Sequence, residues 1–321
     1  AMSLPRTLST EPAKHDEKAC SDFNTWRQKN PDHAMAVAAV HALTKVIERS
    51  KAQTIMELQK DLKDAVESLK EEVKSSISLK ASCELFSRYV TRASLDITAF
   101  SNCRQRLITR GKEFAEASME SRSRISNFGV RFIQNGTRIL IHGQSRVVNH
   151  LLMHAHKSGK KFSVVITEGR PDCSGYNTAK ELAKRGILCK LILDAAVATA
   201  MDNIDLVLVG AEGVVENGGV INKVGTYQIA MVASLLRKPV YVAAESYKFT
   251  RIFPLCQKDV PQRVDNYHVE LKKVGISPPS AVPFFNPACD YTPPKFITLL
   301  FTDLGILTPS AVSDELIKLY Y

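Results

Sequence analysis

Nine polar side chains at or just beyond the ends of predicted strands are the clearest candidates for chemistry in this sequence. They combine cations, carboxylates, a hydroxyl, an amide and an imidazole: His142, Arg146, Thr167, Glu168, Arg170, Asp194, Glu212, Asn222 and Lys223. Because the carboxyl ends of parallel strands share one edge of a sheet, we expect these groups to converge. Arg170 and Lys223 would neutralise a phosphate, and a helix starting near Val224 would add backbone N–H donors. The residue types therefore predict a pocket for a sugar phosphate or a nucleotide.

The segment 206–226 carries the last three of these residues. It opens with the apolar run 206–209, typical of a strand buried on both faces, and continues into a loop that contains Gly213, Gly218 and Gly219. The spacing of these glycines matches neither the dinucleotide fingerprint nor the P-loop, which argues against those two kinds of nucleotide site. The pattern leaves two interpretations open: a ligand pocket, or glycines that serve turn geometry beside solvated charges.

Metal binding is a weaker hypothesis. His150 and His154 would share one face of a helix, as metal ligands do, with His156 close behind them. No carboxylate or cysteine nearby completes a ligand set, so we expect no metal and no cofactor.

The elements that must position these residues are strands and helices in alternation after Gly136. Apolar runs predict strands at 138–142, 162–166, 188–193, 206–209, 239–244 and 296–301, with helices between most of them. Such alternation implies right-handed crossovers and a mostly parallel sheet, so residues 137–321 are predicted to form a Rossmann-like α/β domain. The proline-rich stretch 250–294 is expected to be irregular, 304–309 to be a turn-rich connector, and the chain to close with a helix through Leu319.

The first part of the chain has helical periodicity instead. Residues 22–136 predict a bundle of amphipathic helices, the N-terminal domain of an α/β protein. Asp32 is a candidate N-cap, and Thr54 precedes Glu57 at the spacing of a capping box. Residues 1–21 mix charges and prolines without periodicity, so we expect a disordered tail.

Composition excludes several classes of protein. The 321 residues contain no apolar run of the length that a spanning helix needs, so no membrane association is expected. The seven cysteines are odd in number and scattered, which favours the reduced thiols of a cytoplasmic protein over disulfides. A formal net charge of +10 permits an acidic partner. The lysines and arginines are nevertheless spread along the chain, so direct binding of nucleic acid is not expected.

Five segments together carry a resemblance to a known family: 193–197, 210–219, 222–226, 244–249 and 299–316. They resemble the regulatory subunits of translation initiation factor 2B, and the alpha members of that family most closely. The resemblance covers nearly everything after Asp22. The family is related to isomerases that act on methylthioribose-1-phosphate and ribose-1,5-bisphosphate.

The resemblance to the isomerases implies that catalysis is lost. Those enzymes have the tripeptide Gly-Ala-Asp where this chain has Gly210-Ala211-Glu212, so a glutamate replaces their aspartate. They also have a catalytic cysteine at the position of Gly143. A carboxylate displaced by about 1 Å costs on the order of a hundredfold in rate, and the thiol is absent. Asn222 and Lys223 match the enzymes, so ligand binding is expected to survive as a vestigial pocket in a protein that is not an enzyme.

The resemblance further implies a role in an assembly. The alpha members form a homodimer that bridges the beta, delta, gamma and epsilon subunits of the exchange factor for initiation factor 2. Their helical domain contributes to sensing the phosphorylated alpha subunit of initiation factor 2, and Thr54 and Glu57 match positions on that surface. A capping box would explain Glu57 equally well. Two alternatives to the regulatory role are an active sugar-phosphate isomerase and a stand-alone sugar-phosphate sensor.

Overall fold

The computed structural model describes residues 16–31, 33–73, 76–96, 100–261 and 285–320. Within these ranges, the first part of the chain is helical, and strands alternate with helices after Gly136. The helices of the first part are α1 (Glu17–Lys29), α2 (Met35–Arg49), α3 (Ile55–Glu72), α4 (Ile77–Asp96) and α5 (Phe100–Gly129).

Helix α2 is the centre of the helical bundle and contacts each of the other four helices. Its buried face alternates alanines with larger residues such as Leu43 and Ile47, which are fully buried. Each such side chain contributes on the order of 2 kcal/mol through burial. A Cβ at Gly111 would lie 2.0 Å from Thr44 Oγ1, so the absence of a side chain there lets α5 approach α2.

The bundle begins earlier than predicted. Asp16 caps α1 by accepting a hydrogen bond from Ala19 N at 3.0 Å, and Phe23 of this helix is fully buried in the bundle. Residues 17–21 are therefore helical rather than part of a disordered tail, because the apolar face of α1 has a core to bury against. The rest of the predicted tail, residues 1–15, lies outside the described residues, as does the predicted cap Asp32; α2 itself starts after Ala34.

The second part contains eleven strands within the described ranges. They are β1 (Arg138–His142), β2 (Ser163–Thr167), β3 (Leu188–Ile192), β4 (Leu206–Val209), β5 (Gly213–Val215), β6 (Val220–Lys223), β7 (Val240–Ala243), β8 (Phe249–Thr250), β9 (Cys289–Thr292), β10 (Leu299–Thr302) and β11 (Gly305–Leu307). The helices in the described ranges of this part are α6 (Arg146–Lys157), α7 (Ser174–Lys184), α8 (Val197–Met201), α9 (Thr226–Leu235) and α10 (Val312–Tyr320).

The main sheet has the order β11-β10-β7-β4-β1-β2-β3 among the described strands. Its pairs are parallel except β10 with β11. Strands β1 and β4 are adjacent although the chain passes through β2 and β3 between them, so the strand order reverses there. In open α/β sheets, ligands bind at the carboxyl ends of strands at such a reversal. This architecture confirms the predicted fold class.

Three expectations about this part were wrong in detail. The loop after Val209 contains a hairpin of β5 and β6, which joins β8 and β9 in a second sheet of order β8-β5-β6-β9. Gly218 makes the turn with φ of +83°, and a Cβ there would lie 2.0 Å from Pro309 O. Strand β9 falls inside the stretch predicted to be irregular, of which 262–284 lie outside the described residues. The predicted connector 304–309 contains β11, because pairing with β10 satisfies its backbone groups.

Helix α5 joins the two parts of the molecule. A Cβ at Gly129 would lie 2.3 Å from Leu151 Cδ1, so α5 packs closely against α6. Just beyond, the Phe132 ring lies 4.8 Å from that of Phe301 on β10, which anchors the end of α5 on the sheet. None of the helices in the described ranges is long and apolar enough to cross a membrane.

Candidate functional site

His142 ends β1 at the point where the strand order reverses, and its ring is fully engaged. Its Nδ1 lies 2.6 Å from Thr167 Oγ1, and its Nε2 lies 2.8 Å from Val224 O. Because a carbonyl only accepts, Nε2 carries the proton, and the Thr167 hydroxyl donates to Nδ1 in the neutral ring. Burial lowers the pKa of His142, so the neutral form predominates at neutral pH. His142 therefore joins three segments of the site as a neutral positioning group.

Asp194 shapes the loop that follows β2. Its Oδ1 accepts from Gly169 N at 2.9 Å, and its Oδ2 accepts from Arg170 N at 2.7 Å. The same Oδ1 lies 3.9 Å from His142 Nδ1. On that loop, Arg170 Nε lies 3.3 Å from Oε1 of the buried Glu168. The ends of β1, β2 and β3 are thereby tied together, as their placement on one sheet edge predicted.

Lys223 meets this group from β6, although its amine already has partners. The Nζ donates to Asp172 Oδ1 at 2.6 Å, to Asp172 Oδ2 at 2.5 Å and to Ser174 Oγ at 2.7 Å. Burial raises the pKa of Asp172, but the hydrogen bond and charge of Lys223 outweigh it and hold the pKa below its ordinary value. The amine that would bind a phosphate is thus paired with a carboxylate of the same chain.

The N-terminus of α9 is also occupied. Asp290 Oδ2 accepts from Gly225 N at 2.7 Å and from Tyr227 N at 3.1 Å. The backbone donors expected to serve a phosphate here are therefore partly taken by a carboxylate. The amide of Asn222 donates to Thr226 Oγ1 at 3.0 Å, so it too stabilises the first turn of α9.

Asp290, like Asp172, is a residue of this region that sequence reasoning missed. It lies in β9 opposite Asn222 on β6 and is 8% exposed. Burial raises its pKa to about 7, although the two backbone N–H groups favour the charged form. Its Oδ1 has no hydrogen-bond partner among the described residues. The alternation of Cys289, Asp290 and Tyr291 was a signal for a strand, but the surrounding prolines obscured it.

Two of the predicted site residues face the helical bundle instead. Glu212 follows β4, and its Oε2 accepts from Ser78 Oγ of α4 at 3.5 Å. Arg146 donates to the backbone carbonyl of His33. Burial and the nearby guanidinium of Arg122 lower the pKa of Arg146. These contacts place Glu212 and Arg146 where the sheet edge meets the bundle, beside the group around His142 and Lys223.

Gly143 follows His142 and lies beside Ser174 and Lys223. It adopts φ of +56°, and a Cβ there would lie 3.0 Å from Ser174 Oγ and 3.3 Å from Lys223 Cδ. A side chain at this position would be strained and would contact the Lys223 amine. The position that the isomerase resemblance singled out is therefore next to Lys223, although it carries no reactive group in this chain.

Thr54 and Glu57 lie apart from the strand ends, at the exposed start of α3. Thr54 Oγ1 accepts from Glu57 N at 3.3 Å, and Glu57 Oε2 accepts from Gln53 N at 2.8 Å. The pair therefore caps α3 and remains accessible at the surface.

Two cavities apart from this site have walls mostly from bundle helices. One of about 350 Å³ has walls from α4, α5 and α10, including Phe86, Tyr89 and Phe114. Another of about 700 Å³ lies between α3 and α4.

Comparison with known proteins agrees with this architecture. The sequence profile of the Initiation factor 2 subunit family matches residues 28–309. A crystal structure of translation initiation factor eIF-2B from Pyrococcus horikoshii OT3 superposes with a TM-score of 0.73 at 25% identity, covering 92% of this chain and 98% of that chain.

Two curated relatives match over most of their length. Translation initiation factor eIF2B subunit alpha of Dictyostelium discoideum is 47% identical over 93% of this chain and 95% of its own length. Ribose 1,5-bisphosphate isomerase of Pyrococcus furiosus is 35% identical over 88% of this chain and 87% of its own length. The chain belongs to the Initiation factor 2 subunit family, as the five resembling segments predicted.

Proposed function

We propose that this chain is a non-catalytic regulatory subunit of the exchange factor for translation initiation factor 2. The observation that carries the proposal is the 47% identity to an eIF2B subunit alpha over 95% of that protein's length. In this role the chain forms a homodimer that bridges the beta, delta, gamma and epsilon subunits in the cytoplasm.

Affinity purification from the native cell tests this role. The tagged chain is expected to co-purify with the other four kinds of subunit, identified by mass spectrometry. Light scattering of the purified chain should give a mass near twice 35.6 kDa at all concentrations above the dissociation constant. A monomer that recovers no initiation-factor subunits would contradict the proposal.

An active sugar-phosphate isomerase is the second candidate, favoured by the 35% identity to a ribose 1,5-bisphosphate isomerase. Gly143 provides no thiol, and its positive φ disfavours any side chain. Glu212 provides a carboxylate, but one that bonds to Ser78 of the bundle. We therefore expect no conversion of ribose 1,5-bisphosphate to its ketose, and turnover at enzyme-like rates would select the isomerase.

The strand-end group supports a retained binding site for a sugar phosphate. Lys223 supplies one cation from β6, and Arg170 supplies another from the loop after β2. The neutral His142 of β1 positions the surrounding segments through its bonds to Thr167 and Val224. Arginine and lysine both suit phosphate, the first as a planar fork and the second as a point charge. Ligand binding would stabilise the folded chain by mass action, so thermal unfolding reports it.

The start of α3 supports a contact with the phosphorylated alpha subunit of initiation factor 2. Thr54 and Glu57 are exposed there, beside Met56, whose side chain is 81% exposed. Thr54→Ala is expected to weaken binding of the phosphorylated partner by the assembled complex. Thr54→Ser keeps the capping hydroxyl, so equal weakening by both variants would assign the effect to the surface rather than to the cap.

A further inference from the structure

The amine of Lys223 is saturated by groups of its own chain. An ammonium has three N–H donors, and three acceptors lie within 2.7 Å of Nζ: both carboxylate oxygens of Asp172 and the hydroxyl of Ser174. These distances are typical of charge-assisted hydrogen bonds. Any anion that binds to Lys223 must therefore replace at least one of these partners.

Asp172 is the partner best placed to leave. Its side chain is 58% exposed, whereas that of Lys223 is 22% exposed. It belongs to the loop between β2 and α7, and its second anchor is its neighbour Ser174, which donates from its backbone N to Oδ1 at 3.1 Å and also bonds through its side chain. Rotation of this one side chain toward solvent would release the lysine without disturbing the sheet.

We propose that Asp172 is an intramolecular competitor for the phosphate at Lys223, and that it sets the affinity and the ligand selectivity of the site. The inference rests on the proposed sugar-phosphate site and deepens it. A carboxylate that stays in place repels an approaching anion, and one that leaves gives up its ion pair. Either way, the presence of Asp172 weakens anion binding.

The same competition selects the chemical class of the ligand. A neutral sugar offers no charge to replace Asp172, and a sugar carboxylate can only exchange one carboxylate for another. A phosphomonoester brings three acceptor oxygens and nearly two charges at neutral pH. Asp172 therefore admits phosphorylated sugars and rejects neutral and carboxylated ones.

The first test is the titration of ribose 5-phosphate, ribonate and ribose into the full-length chain by calorimetry. Asp172→Asn is expected to raise the affinity for ribose 5-phosphate about threefold to tenfold, which is the effect expected of a half-exposed ion pair. The same variant should make the binding of ribonate measurable. Asp202→Asn makes the same change of charge at an exposed position after α8 and is the matched control. It should leave both affinities unchanged.

The second test needs no ligand. Acetylation of Lys223, followed by mass spectrometry, is expected to proceed severalfold faster in Asp172→Asn than in the wild type or in Asp202→Asn, because the amine loses its ion pair. Equal labelling rates and equal affinities in the three proteins would overturn the role of Asp172 while leaving ligand binding intact. Failure of all three to bind ribose 5-phosphate would overturn the ligand site and the competition together. Tight binding of ribose 5-phosphate by Asp172→Asn alone would support both the ligand site and the competition by Asp172.

Discussion

At the residue scale, Asp290 is a group whose charge changes near neutral pH. Its pKa is about 7 in the folded chain, against about 4 for an ordinary aspartate. Between about pH 4 and pH 7, the folded chain therefore keeps a proton on Asp290 that the unfolded chain has released. Its contribution to stability is therefore complete below about pH 4 and is lost as the pH rises through 7.

Asp290→Asn should remove this dependence. The amide keeps an oxygen for the N–H groups of Gly225 and Tyr227 but cannot ionise. Denaturant unfolding from pH 5 to pH 8 should show the wild type losing about 3 kcal/mol relative to the variant, because the loss accumulates only between pH 5 and the folded-state pKa. Asp202→Asn is the control and should follow the wild type. Parallel curves for wild type and Asp290→Asn would contradict the raised pKa.

At the element scale, the start of α3 depends on a local cap. Because Thr54 Oγ1 accepts from Glu57 N, Thr54→Ala leaves that donor without a side-chain partner. We expect a loss of about 1 kcal/mol in the free energy of unfolding, and a change near zero for Thr54→Ser. Chemical denaturation of the isolated chain measures both. A loss in Thr54→Ser as large as in Thr54→Ala would show that packing of the methyl group, and not the cap, stabilises α3.

At the scale of the whole molecule, a buried ion network ties the helical bundle to the sheet. Glu245 follows β7, and its carboxylate lies 3.4 Å from Arg122 Nε on α5 and 2.9 Å from Lys248 Nζ. Lys248 also donates to Ala211 O at 2.9 Å, beside Glu212. Burial opposes ionisation of Glu245, but Lys248 and Arg122 outweigh it and lower its pKa to about 2. The network therefore connects the strand ends to the bundle.

Glu245→Gln tests this connection. This variant replaces the buried carboxylate that pairs with Arg122 and Lys248 by a neutral amide. We therefore expect a loss of about 3 kcal/mol in the free energy of unfolding at pH 7. The wild-type advantage is present above about pH 4.5 and declines as the pH falls through 2. Glu113→Gln breaks an exposed pair with Arg110 and should cost less than about 1 kcal/mol. Equal losses for the two variants would show that burial does not strengthen the network.

Much of the fold could be predicted from local pattern. The apolar run 206–209 and the helical periodicity of α2 and α3 bury their residues as expected, because periodicity reports which face of an element meets a core. Strands β5, β6, β8, β9 and β11 escaped prediction because each contains a glycine or a polar residue and so lacks an unbroken apolar run. Strands β8 and β9 pair with β5 and β6, which lie far away in the sequence, and no local signal reports those partners.

The candidate site divides in the same way. From the sequence alone, His142, Thr167 and Asp194 were expected to meet, since parallel strands bring their carboxyl ends to one edge. The arrival of Lys223 from β6, a strand of the second sheet, depends on tertiary packing. Only the tertiary structure decided that Asp172 takes the amine of Lys223, that Asp290 takes the start of α9, and that Glu212 and Arg146 face the bundle. These contacts join residues from separate loops and from the helical bundle. Their distances depend on how whole elements pack, which residue types and spacing do not encode.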